Sequence, residues 1–258
     1  MQYDTTDFVE TNGEATMKLI ARTRRLTREY YMTDHEDAER RRAILEELLG
    51  EIGKNVEIDT PFYCDYGKNI HIGSDVIINM NCTFVDNKPI RIGSKVLIAS
   101  NVQIYTSSHP ILPQERLRLD GNETEEPFFR TYALPVEIQD NVWIGGGVVI
   151  LPGVTIGKNS VVGAGSVVTR SIPANCVAVG NPCRVIRRFG EDGPDDALPS
   201  APNAETTAAI ENVQQGKNLS RTFGSVAELM EDLKRQGKTP PRDFFIARRR
   251  LTSYILLH

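Results

Sequence analysis

From Ile52 onward the apolar positions recur every sixth residue, a spacing that neither common secondary structure produces. Aliphatic or similar residues stand at 52, 58 and 64, at 72, 78 and 84, at 92, 98 and 104, and at 138, 144, 150, 156, 162 and 168. Isoleucine dominates the set, and Cys64, Phe84, Val162 and Val168 are the variants. An α-helix would set residues six apart about 120° from one another, and a plain strand has no reason to fill the intervening positions with Gly, Asn, Ser and Asp. A triangular prism does: each hexapeptide is a short strand and a turn, three of them close one coil, and stacked coils pair as parallel strands about 4.8 Å apart. The pattern therefore predicts a mainly β chain of about five coils between Ile52 and Pro173, with the aliphatics stacked in ladders along the axis.

The departures from the period are as informative as the period. The step is eight residues from 64 to 72 and from 84 to 92, two extensions at the same phase of the coil. The loop 105–135 leaves the prism and returns in phase at Ile138. An insertion of this length in a regular solenoid points to a covered site. Gly73, Gly93, Gly145, Gly157 and Gly163 directly follow inward aliphatics, and turns of positive φ are expected there.

Residues 1–51 read as a helical segment that caps the first coil. Met17, Leu19, Ile20, Leu26 and Tyr30 form a loose helical stripe. Thr33 and Glu36 have the spacing of a capping box ahead of a second helix that turns Ala43, Ile44, Leu48 and Leu49 inward. The prism domain is expected over 52–188. Residues 189–258 begin with EDGPDDALPSAPNAE, a Pro-, Asp- and Ala-rich linker, and continue into a C-terminal extension with a helix at SVAELMEDLKR.

Composition narrows the partners. With 40% apolar and 25% charged residues over 258 positions the chain is globular, and a net charge of −4 provides no basic field for nucleic acid. No apolar run approaches the roughly 20 residues of a membrane span, and MQYDTTDFVE lacks a signal-peptide core, so no membrane and a cytoplasmic location are expected. Cys64, Cys82, Cys176 and Cys183 have no metal-ligand spacing and read as reduced, buried thiols. With His71 and His109 the only histidines within the coils, a three-histidine zinc site is not expected, and no metal is assigned.

The segments YCDYGKNIHIG, NMNCTFVDN, IYTSSHP, PVEIQDNVWIGGGVVILPGVTIGKNSVVGAGSVVT and GNPCRVIR together resemble the maltose and galactoside O-acetyltransferases of the hexapeptide-repeat superfamily, over about residues 52–188. The resemblance implies a left-handed parallel β-helix, a homotrimer with active sites between neighbouring prisms, and acetyl-CoA as the acetyl donor. It assigns His109, just ahead of the loop, as the general base, a role suited to an imidazole whose pKa lies near neutrality. A loop carboxylate is expected to orient the ring, with Glu123, Glu125 and Glu126 as candidates and Glu126 preferred. Asp65, Asn79 and Asn87 match acceptor-contacting positions, although Asp65 replaces a serine and Asn87 an aspartate of the galactoside enzyme, and Asp86 could take over the latter contact. Trp143, Gly145, Gly146, Ala164 and Thr169 match positions along the pantetheine arm, with Gly146 supplying an N–H to the reacting oxygen. Arg184 and Arg187 match basic residues near the nucleotide phosphates.

Two other readings stay open. One is a xenobiotic-modifying acetyltransferase on the same scaffold. The other is a trimeric scaffold displaying residues 198–236, which resemble the toxin-binding end of RelB/DinJ-type antitoxins and imply a toxin-like protein partner.

Overall fold

The structure, a computed structural model, describes residues 7–11, 13–117 and 128–189. Its centre is a prism with three parallel sheets as faces. The first face comprises Glu51–Ile52, Ile70–Ile72, Ile90–Ile92, Val136–Ile138 and Thr155–Ile156. The second comprises Val56–Ile58, Val76–Ile78, Leu97–Ile98, Trp143–Ile144, Val161–Val162 and Cys176–Val179, closed by the antiparallel strand Arg184–Arg188. The third comprises Phe62–Cys64, Cys82–Val85, Gln103–Tyr105, Val149–Ile150 and Val167–Val168.

The six-residue register holds throughout. Ile52 pairs with Ile72, Ile72 with Ile92, Ile92 with Ile138 and Ile138 with Ile156. The second ladder runs Ile58, Ile78, Ile98, Ile144, Val162 and the third Cys64, Phe84, Ile104, Ile150, Val168. Apart from half-buried Ile52 at the open end, these side chains are buried, so each coil hides its apolar residues only because the next one lies on it. The stack exceeds the expected five coils by part of a sixth: Ile172 bridges Ile156, and Ala178 extends the second ladder above Val162.

The glycines after the inward aliphatics are there for a different reason than expected. None of Gly73, Gly93, Gly145, Gly157 and Gly163 has positive φ; left-handed residues recur instead at Asn55, Asp75, Lys95, Asn141, Asn159 and Asn175 along one series of corners and at Asn81, Asn101, Gly147 and Gly165 along another, with Gly67, Gly153 and Gly180 besides. The glycines instead answer to close approach. A Cβ on Gly145 would lie 2.6 Å from the backbone N of Ala164, and one on Gly73 would lie 2.8 Å from the carbonyl of Gly93. Asparagine tolerates the left-handed conformation, and its side chain also links coils, as Asn141 Nδ2 donates to Asn159 Oδ1 at 2.9 Å.

Two helices, α1 (Glu14–Met32) and α2 (Ala38–Leu48), cover the open end of the first coil. Leu26, Tyr30, Ile44, Leu45 and Leu48 face the coil, whereas Met17 and Ala43, expected inward, are exposed. The cap of α2 is Asp37, which accepts from the N–H of Arg40, and not Thr33, which closes α1 by donating from Oγ1 to Glu29 O. Arg41 is 8% exposed: it stacks on Tyr30 and donates to the Tyr30 hydroxyl and to Ile58 O at 2.8 and 3.0 Å. A buried guanidinium thus satisfies a carbonyl of the first coil that no further coil covers.

Candidate active site

Two edges of the third face carry the residues singled out by sequence. Along the edge shared with the second face run three-residue corners, Asn79–Asn81, Ala99–Asn101, Gly145–Gly147 and Gly163–Gly165. At each corner the outer residues donate to neighbouring coils, as Gly145 N does to Val162 O and Gly147 N to Ser100 O, at 2.8 and 2.9 Å. The middle N–H groups, of Met80, Ser100, Gly146 and Ala164, have no such partner among the described residues. At Gly146 no side chain screens that N–H. Trp143 is half exposed on the second face beside this edge, and Arg184 and Arg187 lie on the closing strand above it, paired with Val179 and Val177. Asn79 is on this edge too, with its side-chain amide donating to Ile98 O.

The opposite edge, between the third face and the first, is where the chain leaves the period. Both eight-residue steps fall here, and so does the loop. His109 stands here, and Thr169 follows Val168 at the same edge, apart from the other positions matched to the pantetheine arm. The loop is anchored by a small antiparallel sheet in which Thr131–Ala133 pairs with Ser107–Ser108 on one side and Phe8–Val9 on the other. This brings the N-terminal segment beside His109.

His109 is exposed, and its Nδ1 lies 2.8 Å from Arg130 O. A carbonyl can only accept, so Nδ1 carries a proton, and in the neutral ring Nε2 is the nitrogen with the lone pair. Thr131 Oγ1 is 3.5 Å from the same nitrogen, and the Phe129 ring meets the imidazole edge-on at 5.5 Å. Glu123, Glu125 and Glu126 lie outside the described residues, and so does segment 198–236. Among the described residues the ring is oriented by a backbone carbonyl.

Asp65 and Asn87 flank the two extended corners. Asp65 Oδ1 is 3.3 Å from an Arg24 guanidinium whose other nitrogen donates to Cys64 O at 2.6 Å. Asn87 lines a cavity of about 290 Å³ with Glu10, Thr16, Tyr66, Lys68 and Asn69. Glu10 reaches this cavity because Val9 pairs with Thr131. Its part was not visible in the sequence, since a two-residue strand carries no periodic signal. A larger hollow of about 630 Å³ lies over the first face, walled by strand residues such as His71, Arg91 and Glu137 and by corner residues toward the second face such as Asp140 and Lys158.

Asp86 departs from expectation. It has no exposed surface, and its carboxylate accepts from the N–H groups of Asp65, Tyr66 and Asn69 at 3.0, 2.8 and 3.3 Å. Burial pushes its pKa up to about 6 against these hydrogen bonds, which favour the charged form. It has no free face for an acceptor. All four cysteines are buried, and burial raises the pKa of Cys64, of Cys82 to about 11, and of Cys183, so these three thiols are held neutral.

Comparison with known proteins agrees with this architecture. A bacterial transferase hexapeptide (six repeats) model matches residues 135–170, and a maltose acetyltransferase hexapeptide capping motif matches residues 13–53. The chain is 43% identical over 170 residues to the galactoside O-acetyltransferase of Escherichia coli (strain K12), covering 66% of this chain and 79% of that protein. Among solved structures it is similar to a maltose O-acetyltransferase from Clostridium difficile 630, at 46% identity and a TM-score of 0.65, over 71% of this chain and 93% of that one. It is also similar to a hexapeptide-repeat-containing acetyltransferase from Vibrio cholerae O1 biovar eltor complexed with acetyl coenzyme A, at 37% identity and a TM-score of 0.62, over 69% and 91% of the two chains. The fold and its edges thus define a hexapeptide-repeat acetyltransferase. The chain belongs to the maltose and galactoside O-acetyltransferase family. Neither family model reaches residues 198–236, and the antitoxin resemblance of that segment is not supported. Among the described residues no helix is long and apolar enough to cross a membrane.

Proposed function

We propose that the chain transfers an acetyl group from acetyl-CoA to a hydroxyl of a sugar or sugar-like polyol, with His109 as general base, in a homotrimer. The observation that carries this reading is the Nδ1 contact of His109 with Arg130 O, which makes Nε2 the basic nitrogen of the neutral ring at the irregular edge. Nε2 takes the proton of the acceptor hydroxyl as its oxygen attacks the thioester carbonyl, and returns it to the departing thiol. The uncommitted N–H of Gly146 suits the carbonyl oxygen as it gains charge. Small residues at Gly145, Gly146 and Ala164 admit an extended pantetheine arm past Trp143, with Arg184 and Arg187 toward the phosphates.

The placement of these groups supports the trimer. In one chain His109 and Gly146 lie on opposite edges of the third face, so neither edge is a complete site. Three prisms with their third faces turned to a common axis set the Gly146 edge of one against the His109 edge of the next. Asn79 and Thr169 then each join the groups from which they are separated within one chain. The cavity lined by Glu10, Lys68 and Asn87 has the polar walls and roughly the volume for a monosaccharide, and we assign the acceptor to it.

The exposed stripe of Ile77, Leu97 and Trp143, in register along the second face, favours one further reading, an acceptor bearing an apolar group such as a xenobiotic alcohol. The test of both is release of free thiol from acetyl-CoA with a panel of monosaccharides, polyols and apolar alcohols. Turnover with a polyol, lost by about 10²- to 10⁴-fold in His109→Ala with coenzyme A binding retained, is the expected result. An unchanged rate in His109→Ala, or no thiol release with any acceptor, overturns it.

A further inference from the structure

Among the described residues Asp86 is the only fully buried acid, and its surroundings give it a task in the acceptor site that it does not touch. Its carboxylate holds the N–H groups of Asp65 and Tyr66 on one oxygen and that of Asn69 on the other. Asn69 Nδ2 returns a bond to Asp86 O at 2.6 Å. The extended corner of the first coil, residues 65–69, is therefore wrapped around a single side chain of the second. From beneath, Thr23 Oγ1 donates to Tyr66 O at 2.8 Å and Arg24 to Cys64 O, so the corner is clamped between α1 and Asp86.

We propose that Asp86 is a positioning residue for the acceptor: its carboxylate sets the corner that presents Asp65, Tyr66 and Asn69, and its own backbone carries Asn87. The proposal rests on the assignment of the acceptor to the cavity lined by Asn87.

A comparison one coil higher argues that this is more than corner closure. Thr106 occupies the equivalent place two residues beyond the inward Ile104, as Asp86 does beyond Phe84. It is equally buried, accepts from Lys88 N at 3.0 Å and donates to Val85 O at 2.7 Å. A neutral hydroxyl thus closes the corner of the second coil. The corner of the first coil uses a carboxylate instead, despite the cost of burying it, and that corner supplies Tyr66, Lys68 and Asn69 to the cavity. Only an acceptor with two oxygens can gather three N–H groups from one loop into a fixed shape.

Asp86→Asn is the discriminating variant, because it keeps shape and one accepting oxygen while turning an NH2 toward a backbone N–H. Asp86→Ala, which leaves all three N–H groups unpaired, is the harsher partner. Steady-state kinetics with the best polyol of the panel, and calorimetric titration with coenzyme A, are run on both, beside Asp65→Ala and Asn87→Ala. Coenzyme A binding within twofold of wild type shows that the prism is intact in each sample. The expected result for Asp86→Asn is an acceptor KM raised about tenfold, the size of one lost charge-assisted hydrogen bond, with kcat within about threefold. A wild-type acceptor KM in Asp86→Asn while Asn87→Ala raises it overturns the positioning role alone. Unchanged KM in Asp65→Ala and Asn87→Ala as well overturns the acceptor assignment on which the role depends.

Discussion

The two edges of the third face are made from the same coils and could hardly be less alike. At the edge shared with the second face, the corners Asn79–Asn81, Ala99–Asn101, Gly145–Gly147 and Gly163–Gly165 have three residues each, bond to their neighbours in the same way and repeat with the coil. At the edge shared with the first face, the first coil takes eight residues from Cys64 to Ile72, the second takes eight from Phe84 to Ile92, and the third leaves through the loop. In the fourth coil the step at that edge is six residues again, from Ile150 to Ile156. The regular edge is what any stack of hexapeptides produces, and it suits a donor handle common to many acetyl transfers. The irregular edge costs buried polar groups, Asp86 and Thr106, and there the chain spends its individuality.

The largest effect that separates the two roles is on stability. Ile144→Ala deletes a fully buried rung of the second ladder and is expected to cost about 2–5 kcal/mol, read from urea unfolding. Ile77, on the outward side of the same face and 41% exposed, should change stability by less than about 0.5 kcal/mol when cut to alanine. Equal losses at the two positions would mean that the outward stripe is already packed in the isolated chain.

A pair of adjacent glycines sharpens the regular edge. In Gly145→Ala the new Cβ meets the backbone N of Ala164 at 2.6 Å, and the upper coil must move, at about 1–3 kcal/mol. In Gly146→Ala the nearest atom is Ser100 O at 3.4 Å, so stability should hold. The same methyl would stand where the thioester has to approach, and KM for acetyl-CoA should rise about tenfold. If Gly146→Ala leaves KM untouched, the donor does not run along this edge.

Much of the prism was legible before any coordinates. Ile52, Ile72 and Ile92 are in one ladder because an 18-residue coil with a two-residue extension returns the same phase, and counting finds it. What counting could not find is instructive. The pairing of Phe8–Val9 with Thr131–Ala133 spans more than a hundred residues and shows no local pattern. Among the described residues the orientation of His109 comes from a backbone carbonyl, which has no signature in the side chains. The glycines were located correctly and explained wrongly, because a close approach between coils belongs to the stack and a positive φ to the residue. Asp86 and Asn87 are adjacent in sequence but face opposite ways across the corner, a distinction that spacing alone does not make.

The smallest change concerns the irregular edge and takes the form of a slope. Asp86 has a folded pKa near 6, above its ordinary value of 3.8, so between those pH values the folded chain holds a proton that the unfolded chain has released. That contribution to stability is complete below about pH 3.8, is lost as the pH climbs toward 6, and is flat beyond. Other carboxylates impose slopes of their own, so the quantity to follow is the difference in unfolding free energy between wild type and Asp86→Asn at pH 4, 5, 6 and 7. The difference should fall with rising pH, by at most about 1.4 kcal/mol for each unit crossed, and level off above pH 6. A difference that rises over the same range would mean that the three N–H groups outweigh burial and hold the carboxylate charged throughout. In that case the first coil's corner would be clamped at every pH at which acetyl transfer can be assayed, and the acceptor KM of the wild type should show no pH dependence attributable to Asp86.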